Sequence, residues 1–139
     1  MHQSKNAKED ITKLIHKMFS ERGIDNVDLT MFDEKQKREI YEGYADMFEA
    51  HLGPPFLSIT LKAYYKAGAF LKIKQRLTKE AQKALTDEFF SYALVCYKLL
   101  DDKPMIKFLE ENHAKDGQDF KVDYSKLYNE LLELVKITP

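Results

Sequence analysis

The sequence predicts an all-α protein, a single-domain bundle of five or six helices around a central, mostly buried helix at about residues 55–77. Three observations predict it. Apolar residues recur at i, i+3, i+4 and i+7 in successive segments, the spacing of one helix face. Gly23, Gly53-Pro54-Pro55 and Asp101-Asp102-Lys103-Pro104 punctuate those segments at helix-length intervals. One short stretch alternates like a strand, but it has no partner strand, and an isolated strand is not stable in water.

Residues 7–22 place Ile11, Leu14, Ile15, Met18 and Phe19 on one helical face, with Gly23 as a left-handed cap. The link from Ile24 to Phe32 alternates Val27, Leu29 and Met31, and reads as an extended connection pinned by those side chains. Asp33 followed by Gln36 forms a capping box for a second helix. That helix runs to about His51, with Ile40, Tyr41, Tyr44, Phe48 and Leu52 on one face. It stops at Gly53-Pro54-Pro55, and Pro55 suits the first turn of the next helix, where its missing N–H would have no partner anyway.

In the central helix, Leu57, Leu61, Tyr64, Gly68 and Leu71 share a face at about 100° per residue. Ile59, Ala63, Phe70 and Leu77 make a second apolar strip, and Lys62, Lys66, Lys72 and Arg76 fill an arc of roughly 120° between the two. Gly68 costs about 1 kcal/mol of helix propensity, and the expected reason for it is close approach of a neighbouring helix, not a hinge. Thr78 is the expected N-cap of a fourth helix whose stripe runs Leu85, Phe89, Tyr92, Ala93, Cys96, Leu99 and Leu100. A short fifth helix carries Met105, Ile106, Phe108 and Leu109 to about His113. Residues 114–122, with the turn signal Asp116-Gly117, should be the most exposed loop. The last helix, about 123–137, buries Tyr124, Leu127, Tyr128, Leu131, Leu134 and Val135.

With 139 residues the chain fits one domain, 1–139, able to bury about two-thirds of its unfolded surface. Hydrophobic content of 44% beside 32% charge belongs to a water-exposed globule, and lysines interrupt every apolar run before it reaches membrane-spanning length. The N-terminus shows no apolar core of a secretory signal, and a lone cysteine excludes an internal disulfide, so the cytoplasm is the expected compartment. Nine Phe and eight Tyr without a single Trp mean that the core, or a pocket, is built largely from single rings.

No catalytic motif is readable. The histidines His2, His16, His51 and His113 include no i, i+4 pair of the metalloprotease kind. Glu110-x-x-His113 is one copy of a unit that di-iron bundles use twice, and reads as a solvated helix end. Cys96 falls in an apolar stripe, where burial argues against a nucleophile. Phosphate-binding glycine loops and nucleophile elbows are missing. No metal, cofactor or catalytic residue is therefore expected.

Two features point to binding instead. Residues 62–83 carry Lys62, Lys66, Lys72, Lys74, Arg76, Lys79 and Lys83 against Glu80 alone, in a chain whose net charge is −1. Within that segment Lys62, Lys66, Lys72 and Arg76 would make a docking face for an anionic partner, or would pair internally with acidic helices, for example at Asp46 and Glu49. A pI near 6.4 disfavours nucleic acid as that partner. Second, Tyr41, Tyr44, Tyr64, Tyr65, Phe89 and Tyr92 would converge to line a pocket for a small apolar, fatty-acid-like ligand. The expected function is a non-enzymatic helical binding or regulatory protein acting on another protein or on a second copy of itself. The alternative is a sensor or carrier of the apolar ligand.

Overall fold

The computed structural model describes residues 2–21 and 27–136, with side chains from residue 9 onward. Over those residues the chain forms seven helices and no strand: α1 (His2–Glu21), α2 (Glu34–Asp46), α3 (Pro54–Ala67), α4 (Phe70–Thr86), α5 (Phe90–Leu99), α6 (Lys103–His113) and α7 (Ser125–Lys136). Each of α1 to α5 packs against the next, and α7 returns to lie on α3 and α5. One continuous core holds Met18, Ile40, Tyr44, Phe48, Leu57, Leu61, Ile73, Leu77, Cys96, Leu109 and Leu131, all almost completely removed from water. No helix among the described residues is long and apolar enough to cross a membrane.

Several starts and stops follow local chemistry. Asp33 accepts from Gln36 N at 2.8 Å while the Gln36 side chain accepts from Asp33 N at 3.0 Å, which closes the capping box of α2. Asp102 caps α6 by accepting from Met105 N at 3.2 Å, with Pro104 in the first turn. Gly23 and its proposed cap lie outside the described residues.

Others differ from expectation. The helix predicted over 55–77 is two helices, because Gly68 adopts φ 70° and ends α3. Its N–H donates to Tyr65 O at 3.0 Å and the N–H of Ala69 to Tyr64 O at 2.9 Å, the Schellman pattern. A Cβ built on Gly68 meets nothing within 4 Å, so the glycine serves its own backbone and not a neighbouring helix. The break changes the phase beyond it, and Leu71 emerges exposed instead of extending the Leu57–Leu61 face.

Thr78 is no cap. It sits inside α4 and its hydroxyl donates back to Lys74 O at 2.9 Å. The stripe predicted from Leu85 to Leu100 is interrupted at Asp87–Phe89, where Glu88 takes φ 62°. Residues 27–32 are a turn and not an extended link. Asp28 Oδ1 accepts from both the N–H and the hydroxyl of Thr30, Phe32 N bonds Leu29 O, and Met31 is left 77% exposed.

Candidate functional site

A charged pair lies at the centre of the bundle. Arg76 and Glu80 stand one turn apart on α4, 6% and 1% exposed, with Nε donating to Oε1 at 3.1 Å. Arg76 Nη1 donates to Phe48 O at 2.8 Å and Nη2 to His51 O, carbonyls of the turn that follows α2. Glu80 accepts the N–H of Gly53 on both oxygens, at 3.1 and 3.0 Å, and the Tyr92 hydroxyl on Oε2 at 2.9 Å. The corner between α2 and α3 is thus held by backbone groups that neither helix satisfies itself. Charge and hydrogen bonding both close within the network, which is what burial of two ions requires.

On the Glu80 side a cleft of about 220 Å³ opens between the start of α3, the end of α4 and α5. Its walls are Leu52, Pro54, Ala84, Phe89, Tyr92 and Tyr124, and Glu80 contributes to its lining. Lys83 and Asp87 also line it, and pair with each other at 2.9 Å. The rings of Tyr92 and Tyr124 lie 5.5 Å apart. Burial above all raises the Tyr92 phenol well beyond its usual range, with the neighbouring Cys96 thiol and Glu80 carboxylate adding to it. Burial and then Asp119 push Tyr124 up to about 12. Both rings are neutral hydrogen-bond donors at physiological pH.

Asp119 positions that wall. It is 3% exposed, and its carboxylate accepts from Ser91 N at 3.0 Å, Tyr92 N at 2.9 Å and the Tyr124 hydroxyl at 3.2 Å. The residue preceding α5, Phe89, offers no side-chain cap, so Asp119 supplies one from a distant loop. Alongside it, Gln118 N donates to Glu88 O at 3.0 Å and Gln118 Nε2 to Asp87 O at 2.9 Å. Gly117, at φ 95°, lets the loop approach this turn, for a Cβ there would lie 2.7 Å from Glu88 O. Residues 116–119 therefore strap down the α4–α5 turn from within a loop that is mostly exposed, as expected, with Asp119 as its buried residue.

On the Arg76 side lies a polar hollow of about 310 Å³, lined by Asp46, Glu49, Tyr64, Lys72, Gln75 and Lys79 with Arg76. Here part of the predicted basic arc is consumed. Lys72 bonds Asp46 at 3.1 Å, lies 3.7 Å from Glu42 and covers the Tyr64 ring. Lys79 donates to Glu49 O at 3.0 Å. Lys62 is ion-paired with Glu130 of α7, and Lys66 sits 5.5 Å above the Tyr41 ring. The four residues do not form one arc, because the break at Gly68 puts Lys62 and Lys66 on α3 and Lys72 and Arg76 on α4, and Arg76 is buried.

Of the six aromatic residues expected to converge, Phe89 and Tyr92 line the apolar cleft. Tyr44 is buried edge-on to Phe48, Tyr65 packs on Phe70, Tyr41 lies under Lys66, and Tyr64 donates to Asp46 at 2.6 Å in the polar hollow. They do not converge because Tyr41, Tyr44, Tyr64 and Tyr65 on α2 and α3 each have partners away from the cleft that Phe89 and Tyr92 line. Tyr124 and Glu80 complete the cleft and went unread as site residues, the first having the spacing of an ordinary core position and the second being the one acid in a basic run.

Cys96 is completely buried, and its thiol is held up by burial and then by the Glu80 charge, so it stays protonated. His113 stacks on Phe90 at 4.1 Å. Among the described residues no group of three His, Cys, Asp or Glu side chains gathers in a way that would hold a metal ion. No protein-family model matches this chain, and no curated protein or solved structure shows significant similarity to it.

Proposed function

We propose that this chain is a non-enzymatic helical binding protein that regulates a partner through protein–protein contact, seating one apolar side chain of that partner in the Phe89/Tyr92/Tyr124 cleft. The cleft carries the reading. It is concave and apolar-walled, its rings are fixed from behind by Glu80 and Asp119, and it offers a rigid seat for a single anchor residue. Its size supports the first of the two forms of binding expected from the sequence. About 220 Å³ falls below the roughly 300–1,000 Å³ that encloses a drug-sized molecule, so a fatty-acid-like chain would remain mostly outside. One side chain of a partner would not. The basic residues support this reading less, since Lys62, Lys72 and Arg76 are occupied by groups of the same chain.

Panning a phage-displayed random peptide library against the full chain tests the reading, with Ala84→Trp as the cleft-filled control and Phe89→Ala as the wall-deleted one. Selected peptides should share one large apolar residue and lose at least tenfold in affinity for either variant, while circular dichroism stays unchanged. Peptides that bind all three proteins equally, or no enrichment at all, would overturn it. Sedimentation of the chain alone adds the case of a second copy as the partner, where a dimer should dissociate in Ala84→Trp.

A further inference from the structure

We infer that the strap at Gln118 and Asp119 is a lock on a hinge at residues 87–89. A chain whose strap is released joins α4 to α5 as one helix and exchanges α5–α7 with a second copy of itself. The hydrogen bonds at the break carry the inference. A continuous helix would pair Ser91 N with Asp87 O and Tyr92 N with Glu88 O, each four residues back. The strap takes all four of those groups. Gln118 donates from its side chain to Asp87 O at 2.9 Å and from its backbone to Glu88 O at 3.0 Å. Asp119 accepts from Ser91 N at 3.0 Å and from Tyr92 N at 2.9 Å. Two neighbouring residues thus hold apart, group by group, the bonds that would close the helix.

Nothing in the hinge itself prefers the bend. No glycine or proline lies between Gly68 and Pro104, and the apolar stripe from Leu85 through Phe89 to Tyr92 and Cys96 keeps helical spacing across the break. Glu88 is exposed and held at φ 62°, a conformation that straightening would relieve. Yet a lone chain cannot straighten. The seam joins α5 to α4 and α7 to α3, and Leu61, Leu77, Ala93, Cys96 and Leu131 on those helices are completely buried. Parting the seam would bring such residues into water, and the surface that fits the freed α5–α7 is that of α1–α4 on another copy. The Lys62–Glu130 and Tyr92–Glu80 contacts span the seam and would re-form between copies. Phe89 lies within the hinge, so opening it also dismantles a wall of the cleft, whatever the cleft binds.

Refolding from urea at high protein concentration, followed by size-exclusion chromatography with light scattering, tests the lock. The parent chain should return as a monomer and Gln118→Ala/Asp119→Ala largely as a dimer. Glu88 then reports on the hinge, because alanine there keeps the strain of the bend and favours the helix, whereas glycine does the opposite. In the double variant, adding Glu88→Ala should raise the ratio of dimer to monomer at least about tenfold over adding Glu88→Gly. Exchange itself is read by mixing, as unfolded chains, a Lys62→Glu copy and a Glu130→Lys copy of the double variant. Each copy sets like charges against each other, and an exchanged heterodimer restores both ion pairs. Native mass spectrometry should therefore find heterodimers above the random proportion. A double variant that stays monomeric, a parent chain that dimerises as readily, equal dimerisation of the two Glu88 variants, or heterodimers at the random proportion would each overturn the inference. If the double variant does not refold, the intact chain decides: more dimer in Glu88→Ala than in Glu88→Gly supports the hinge, and no difference overturns it.

Discussion

The break between α3 and α4 and the break between α4 and α5 share one hydrogen-bond pattern and have opposite origins. At the first, Gly68 N bonds Tyr65 O and Ala69 N bonds Tyr64 O, with Gly68 at φ 70°. At the second, Glu88 N bonds Leu85 O and Phe89 N bonds Ala84 O, with Glu88 at φ 62°. Glycine takes the left-handed conformation freely, whereas a residue with a Cβ gives up about 1–2 kcal/mol to do so. The first break is written at its own position. The second is imposed by the strap, whose Gln118 side chain holds Asp87 O from 31 residues away while Asp119 caps the helix that follows.

The comparison breaks most directly at Asp119. Asp119→Ala leaves two α5 N–H groups and the Tyr124 hydroxyl without their acceptor, and should lower stability by about 2–4 kcal/mol in urea unfolding. A loss below about 1 kcal/mol would mean that the strap does not hold the second break.

The two left-handed residues sharpen it with smaller effects of opposite sign. Gly68→Ala should cost about 1–2 kcal/mol, all of it conformational, because the new methyl meets open space. Glu88→Gly should add roughly 0.5–1 kcal/mol by removing that same strain, less the added freedom of the unfolded chain. Equal responses at both sites would show that the breaks are not encoded differently.

The smallest effect at neutral pH belongs to Tyr124, whose folded value of about 12 is raised first by burial and then by Asp119. A phenol raised in the folded state contributes stability that is complete below its unfolded value of about 10 and is lost as pH rises through the folded one. Stability measured by chemical denaturation should therefore decline between pH about 10 and about 12, beyond the loss shown by Tyr124→Phe. Ultraviolet titration of Asp119→Asn should find one tyrosine ionising earlier than in the parent chain. Identical titration curves would show that Asp119 does not govern that phenol.

What was legible in the sequence follows the same division between local and distant causes. The Asp33–Gln36 capping box, the start of α3 at Gly53-Pro54-Pro55 and the Asp102/Pro104 start of α6 are contained within a few residues each and are legible as such, whereas α2 ends at Asp46 and not at about His51 as its periodicity predicts. Gly68 gives a signal, but helical periodicity continues in register on both sides of it, so spacing alone points to a packing residue. Thr78 looked like a cap because threonine favours caps, although the chain there was already helical. Glu88 gave no signal, since glutamate has no left-handed signature and its conformation depends on Gln118 and Asp119. The cleft inherits that limit. Phe89 and Tyr92 could be named, but their meeting with Glu80, Pro54 and Tyr124 depends on the turn that the strap imposes.

Cys96 gives this architecture an internal clock. The single thiol of the chain is sealed in the core and kept protonated, so an alkylating reagent can reach it only when the helices around it part. Each modified molecule then records one opening event. At reagent concentrations where alkylation outpaces reclosing, the rate of labelling in the absence of denaturant follows how often α5 leaves its neighbours, a breathing frequency that no equilibrium measurement of stability contains.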